Sequence, residues 1–361
     1  MFALGLAQAG FNHESMIEWN SAAVRTAKHN VDRGIDRIGH WKIVEADVRN
    51  LNWRTFPRDI DLLAGGPPCQ PFSIGGKSRG EHDDRDMWPY AIAAVRAIQP
   101  KAFLFENVRG LIRPVFAAYL DQIVNRLRNG GRESVGPNPV YEVAVLKLNA
   151  ADFGTAQKRH RLIISGIRTD LSRGIKELAA THSHERLLWD QWCSGEYWTR
   201  HGMTMPTDDG IPKTDLSTVM RLRRRAVCPA TLPWKTVRDA LKGLGEPSGT
   251  NNHILQVGAR TYPGHTGSAL DAPAKALKAG NHGVPGGENM MIQDDGSVRY
   301  FTVREAARLQ GLPDDYEFPG SWSESMRQLG NAVPVELGSA VGNWMAAQLR
   351  AAAKGASALA A

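Results

Sequence analysis

DLLAGGPPCQPFS, residues 61–73, sets a short apolar run directly against a loop of glycines and prolines around a single cysteine. The run reads as a buried strand, and the loop then falls at the strand's carboxyl end, where open α/β sheets put their sites. Pro67 and Pro68 stiffen the loop, while Gly65 and Gly66 let a ligand approach the backbone. Stiffness suits a nucleophile, which must be held near attack geometry. A lone cysteine is more often an inert, buried small hydrophobe; on this loop the balance turns toward Cys69 as a reactive group.

The surrounding chain supplies the rest of a sheet. Met16–Trp19, Lys42–Val44, Ile60–Ala64 and Ala102–Phe105 read as buried strands, and Tyr141–Leu148 and Leu162–Ile167 as two more. Met87–Ile98 carries Ile92, Val95 and Ile98 at helical spacing with Pro100 just beyond, and Val115–Leu127 is a second helix. Such alternation predicts an α/β fold, a mostly parallel sheet with helices on both faces. From about Leu171 to about residue 290 the texture changes to clustered tryptophans, an arginine run and many Gly, Pro, His and Thr residues, so a smaller, loop-rich domain is expected there. Helical character resumes in Arg304–Gln310 and Val335–Leu349. The expected division is 1–170, 171–290, 291–350 as a return to the first domain, and 351–361 as a flexible tail.

Of the 361 residues 42% are hydrophobic and 22% charged, ordinary globular usage that excludes wholesale disorder. Cys69, Cys193 and Cys228 are too scattered for a disulfide framework or a zinc site, a pattern that fits a reducing cytosol, and no metal site is expected. No apolar run approaches the roughly 18 residues of a membrane span. The formal charge of +7 permits an acidic partner such as nucleic acid without demanding one.

Two further motifs bear chemistry. Glu106, in the ENV triplet after the strand Ala102–Phe105, would stand one strand over from Cys69 at the same carboxyl edge; a shielded carboxyl holds its proton more readily and can donate as well as accept. Taken alone, such a glutamate is usually a solvated loop residue or a helix cap. QKRHR at Gln157–Arg161 puts Arg159 and Arg161 on one face of an extended segment, suited to phosphate or carbonyl recognition, with a solvated strand end as the equal alternative.

PCQPFS, ENV, QKRHR and the late GNAVP (Gly330–Pro334), in this order and spacing, resemble the ordered motifs of DNA cytosine-5 methyltransferases. The resemblance runs from about Leu6 to about Leu349 and makes 171–290 the family's variable target-recognition domain. It implies methyl transfer from S-adenosylmethionine to carbon 5 of a flipped-out cytosine in double-stranded DNA. Cys69 would add to carbon 6, Glu106 would bind the ring nitrogen and exocyclic amine, Arg161 would contact the ring carbonyl, and Arg159 would supply positive charge near the thiol. For the cofactor the same matching implies Glu18 at the ribose, Trp19 against the adenine, Asp47 and Val48 at the adenine amine and ring, and Pro68, Met87, Asn331 and Val333 completing the pocket. Gln70, Ser73 and the run Arg221, Arg223, Arg224 and Arg225 would face DNA; for the arginines a plain basic surface is the even alternative. The implied setting is a cytoplasmic monomer, bacterial or phage-encoded, without membrane contact, either solitary or matched to a restriction endonuclease acting separately. A tRNA-methylating relative and a non-catalytic DNA-binding remnant are the competing readings.

The resemblance also implies a central strand and glycine-rich loop ahead of Leu4–Phe11, flanked by the strands at Met16 and at Lys42 or Ile60. The sequence instead opens with MFALGLAQAGF, which matches the helix after that loop. A misassigned start or a truncated gene would each account for this, and the chain as written is expected to bind S-adenosylmethionine weakly.

Overall fold

The computed structural model describes residues 1–68, 86–132, 140–172, 174–263, 265–279 and 289–359. Cys69, Gln70 and Ser73 lie outside the described residues. The six expected strands all form: β1 (Met16–Glu18), β2 (Ile43–Glu45), β3 (Leu62–Gly65), β4 (Ala102–Val108), β5 (Tyr141–Asn149) and, after the two-residue β6 (Gln157–Lys158), β7 (His160–Arg168). β4 is the centre of the main sheet, whose order is β3-β4-β7-β5. Pairing is parallel between β3 and β4 and antiparallel for β4–β7 and β7–β5, so the far side of the sheet departs from the expected parallel arrangement. The short link between β5 and β7 accounts for this, because a parallel return needs a crossover of a dozen or more residues.

Alternation along β4 explains the helices on both faces. Phe103 and Phe105 point into a cluster with Trp88, Ile92 and Val95 of α3 (Trp88–Ile98) and Ile123 and Leu127 of α4 (Ala117–Arg128). Ala102 and Leu104 point the other way, toward Leu337, Val341 and Met345 of α11 (Val335–Leu359) and Leu6 of α1 (Phe2–Gln8). A strand covered on both faces reads as a continuous apolar run, which is why β4 was legible.

β1 and β2 pair in parallel as a separate two-stranded sheet. Among the described residues, β1 and β3 each pair on one side only, and both are half-buried where β4 is buried almost throughout. Helix α1 bridges the two sheets: Leu4 and Ala7 share a cluster with partly buried Met16 and Ile43, while Leu6 packs with Leu104 and partly buried Leu62 and Ala64. Among the described residues β2 and β5 likewise pair on one side only.

Residues 171–290 hold more helix than expected: α5 (His184–Trp192), α6 (Glu196–Arg200), α7 (Leu216–Arg225) and α8 (Val237–Leu241). Leu187, Leu188, Trp192, Tyr197, Trp198, Val219 and Leu222 form a core of their own. The helical pattern was hidden because polar Asp190 and Gln191 are buried beside the apolar residues, tied to Arg186 and to the Asp271 carbonyl. Val237, Ala274 and Leu277 instead join the cluster of Phe301, Val303 and Leu309, so the later part of this stretch packs with the C-terminal helices α9 (Val303–Leu309) and α10 (Trp322–Asn331). No helix among the described residues is long and apolar enough to cross a membrane.

Candidate active site

Register on the main sheet brings the site together. Glu106 on β4 is opposite Ile163 on β7, and Val108 is opposite Arg161. Because strand side chains alternate faces, Arg161 and Ile163 share the face of Glu106. Arg161 Nε stands 2.5 Å from Glu106 Oε1, and both side chains are nearly enclosed. Burial, which disfavours the charged form, raises the Glu106 carboxyl above its ordinary range despite the opposing pull of Arg161 and Arg159. Burial and the two arginines thus act on this carboxyl in opposite senses, with burial the larger.

The described part of the glycine–proline loop closes onto this pair. A Cβ placed on Gly66 would lie 3.2 Å from Glu106 Oε2, so a side chain there would crowd the carboxylate. Asn107, buried between the strands, donates from Nδ2 to the Pro67 carbonyl at 3.1 Å and accepts from the Val108 amide at 2.9 Å. The middle residue of ENV therefore anchors the loop that leads to Cys69. Sequence reading quoted the triplet yet gave Asn107 no role; its position between two candidate site elements was the available signal. Asn107→Ala is expected to cost about 1–3 kcal/mol of stability by leaving the Val108 amide and Pro67 carbonyl unpartnered. The same change should slow single-turnover methylation in protein that remains folded by circular dichroism.

Arg159, in the one-residue break between β6 and β7, and Arg161, on β7, take different partners. The Arg159 guanidinium is fully buried and donates to the Leu277 carbonyl at 2.8 Å, to the Gly330 carbonyl and to Gln157 Oε1 at 3.3 Å. Its backbone amide donates to Asn149 Oδ1 at 3.1 Å. Gln157, also buried, accepts from the Leu277 amide at 3.1 Å. A Cβ on Gly330 would meet Ala279 N at 2.4 Å, so GNAVP and the 277–279 segment touch only because this residue lacks a side chain. Arg159 joins three distant segments, and its charge still acts on Glu106.

The implied cofactor residues fall into groups. Glu18 ends β1 and Trp19 follows it, 67% exposed; Glu18 Oε1 accepts from the Asn20 amide at 2.8 Å. Asp47 and Val48 lie just past β2, which pairs with β1 in register Glu18↔Glu45, so all four residues share one carboxyl edge. The Asp47 carboxylate accepts from the Arg49 amide at 2.9 Å and side chain at 2.8 Å, which holds it below the usual range. Pro68 and Met87 flank the undescribed stretch. Val333 is buried with Leu6 and Leu337, and Asn331 is exposed at the end of α10.

The arginine run on α7 also divides. Arg221 pairs with Glu185 at 2.7 Å, and Arg223 holds Asp208 at 2.8 Å and the Trp192 carbonyl at 2.8 Å. Arg224 and Arg225 stand exposed at the helix end.

Solved structures share this α/β architecture. A putative DNA modification methyltransferase encoded within a prophage of E. coli superposes with a TM-score of 0.59 at 20% identity, over 97% of this chain and 96% of its own. The S. pombe Dnmt2 methyltransferase gives 0.58 at 18% identity, over 97% and 94%. The family model for C-5 cytosine-specific DNA methylase matches residues 1–347. Among curated relatives, the type II methyltransferase M.Eco47II of Escherichia coli is 31% identical over 94% of this chain and 75% of its own length. M.PspPI of Psychrobacter sp. is 31% identical over 98% and 78%, and M.NgoMIV of Neisseria gonorrhoeae 29% over 94% and 92%. The chain belongs to the C-5 cytosine-specific DNA methylase family and is a DNA (cytosine-5-)-methyltransferase.

Proposed function

We propose that this enzyme transfers the methyl group of S-adenosylmethionine to a flipped-out cytosine through a covalent adduct on Cys69. The observation that carries the reading is the enclosed Glu106–Arg161 pair, with the loop toward Cys69 tied to it through Asn107. The Cys69 thiolate adds to carbon 6, and the electron pair of the 5,6 double bond moves onto the ring. Glu106, holding a proton, donates to the ring nitrogen as that charge builds, and Arg161 faces the ring carbonyl. Carbon 5 then takes the methyl group; loss of the carbon-5 proton to a base re-forms the double bond and expels the Cys69 thiolate, and the ring-nitrogen proton returns to Glu106. Because the target atom is inside the base stack, extrusion costs a few kcal/mol, offset by phosphate and recognition contacts.

The residues at the β1–β2 edge fit the cofactor. Trp19 offers an uncovered aromatic face beside the Glu18 carboxylate, and Asp47 and Val48 stand on the adjoining strand end. When bound, the cofactor supplies an electrophilic methyl group; Glu18 would hold ribose hydroxyls and Trp19 would cover the adenine. Arg224 and Arg225, the exposed members of the arginine run, would meet DNA phosphates.

The test is covalent trapping on DNA containing 5-fluorocytosine with S-adenosylmethionine present, joined to bisulfite sequencing of host DNA after expression. A stable protein–DNA adduct and a converted-resistant cytosine at a fixed sequence are expected. Folded protein that yields neither would refute the activity.

A further inference from the structure

The α5–α7 unit meets the segment that carries QKRHR at Trp234. Thr181 donates its amide to the Asp152 carbonyl at 3.0 Å, and β8 (His182–Ser183) then pairs in parallel with β9 (Leu232–Pro233). This ladder sets Trp234, whose amide donates to the Ser183 carbonyl at 3.2 Å, beside His184, the first residue of α5. The two rings stack, with centroids 4.8 Å apart and planes 22° from parallel. Trp234 also packs, half-buried, against the core formed by Leu187, Trp192, Val219 and Leu222.

The same indole reaches out of that core. Its Nε1 donates to Asp152 Oδ1 at 2.9 Å, and Lys158 Nζ lies 5.5 Å from the ring centroid, within cation–π reach. Both partners belong to the stretch that leads into the candidate site. Asn149, the last residue of β5, pairs with His160, and its Oδ1 accepts from the Ala151 amide at 3.4 Å and the Arg159 amide at 3.1 Å. Asp152 and Lys158 are therefore parts of one braced turn, and Arg161 follows on β7, opposite Leu148 in the same ladder. A Cβ on Gly154 (φ +90) would meet the His182 ring at 2.8 Å, so the two sides of this seam touch closely there. Beside the indole the seam is hollow: a cavity of about 240 Å³ has Ala156, Glu336, Trp234 and Lys235 among its walls. Directed bonds rather than continuous packing set the spacing at that point.

We propose that Trp234 is a positioning residue for methyl transfer: seated in the α5–α7 core, it fixes through Asp152 and Lys158 the spacing between that unit and the Glu106–Arg161 pair. This role rests on the proposed function, in which residues 171–290 hold the DNA while Glu106 and Arg161 meet the cytosine. A duplex gripped on one side of the seam delivers its base to the other, so slack in the seam displaces the base from the carboxyl without loosening the grip. Misplacement of a reacting group by about 1 Å can cost on the order of a hundredfold in rate. Slack therefore lowers the rate of the chemical step and leaves DNA affinity nearly unchanged, because phosphate contacts dominate affinity.

The test is single-turnover methylation of a plasmid whose target sequence bisulfite conversion has located, run across DNA concentration with S-adenosylmethionine saturating. Trp234→Phe keeps an aromatic ring on His184 and deletes the indole donor, Asp152→Ala deletes its acceptor, and Asp152→Asn retains an acceptor oxygen. At saturating DNA, Trp234→Phe and Asp152→Ala should each be slower by about tenfold. Half-saturation by DNA should stay within about twofold of wild type. Asp152→Asn should recover most of the rate. The double variant Trp234→Phe/Asp152→Ala should be no slower than the slower single one, as expected for two ends of one contact. Unchanged rates in both single variants, weaker half-saturation at an unchanged maximal rate, or losses that multiply in the double variant would overturn the positioning role. An Asp152→Asn protein as slow as Asp152→Ala would overturn it too, by assigning the effect to the carboxylate charge. Each of these outcomes beside an active wild type leaves the proposed function intact, whereas wild-type protein that methylates no DNA refutes that function and the role of Trp234 with it.

Discussion

Cys69→Ala is expected to give no adduct on 5-fluorocytosine DNA and no measurable methylation, because it removes the thiol proposed to add to carbon 6. Glu106→Gln keeps the thiol and the shape of the pocket but removes the titratable proton. Loss of one preorganised group at a developing charge costs about two to three orders of magnitude in rate. The pair is informative through pH. Burial raises the Glu106 carboxyl, so its proton is retained further up the pH scale, and activity that needs the proton falls as pH rises through that raised value. Arg161 opposes the rise; in Arg161→Gln the alkaline fall should move up by about one pH unit or more, and in Glu106→Gln it should vanish. Stability follows the same sign: a carboxyl raised above its unfolded value stabilises the fold at acid pH, and that contribution is lost as pH climbs through the folded value. Single-turnover rates and denaturant midpoints measured across pH read the two effects separately. An alkaline fall unchanged in Glu106→Gln would remove Glu106 from the proton step.

Arg159→Met is expected to act mainly on stability. The guanidinium satisfies the carbonyls of Leu277 and Gly330 inside the protein, and hydrogen bonds from a charged donor contribute about 1.5–3 kcal/mol each. Deleting it should cost about 3–5 kcal/mol, a large share of an ordinary total of about 5–15 kcal/mol. The measured effect would be a melting temperature lower by about 5 °C. Arg159→Lys cannot reach both carbonyls with a planar fork and should recover only part of this. A variant with unchanged melting temperature and a slow thiol would instead assign Arg159 to the nucleophile alone.

What the sequence disclosed follows from what kind of contact each residue makes. β4 and its neighbours were legible because strands covered on both faces must be apolar throughout, and α3 because its buried face repeats at helical spacing. Glu106 and Arg161 were legible as members of quoted motifs at strand ends. The division of labour between Arg159 and Arg161 was not, since it depends on carbonyls more than a hundred residues away. Helix α2 (Ser21–Asp32) escaped notice because its inner face buries Thr26 and Asn30 beside Val24; Asn30 reaches the Glu317 backbone in both directions. The contact of Trp234 with Asp152 is a similar long-range pairing, which leaves no local periodicity.

The separation of β1–β2 from the main sheet bears on cooperativity. No backbone ladder connects the two among the described residues; α1 packs against both, and Asn30 of α2 ties the β1–β2 side to the Glu317 backbone. Packing of that kind can be lost without breaking the hydrogen bonds of either sheet. Hydrogen exchange is therefore expected to show the β1–β2 edge, with Glu18, Trp19 and Asp47 on it, opening at lower free energy than β4. A ligand that bound across this edge would oppose that opening by mass action, so slower exchange of β1 and β2 on adding it is the expected sign of binding there.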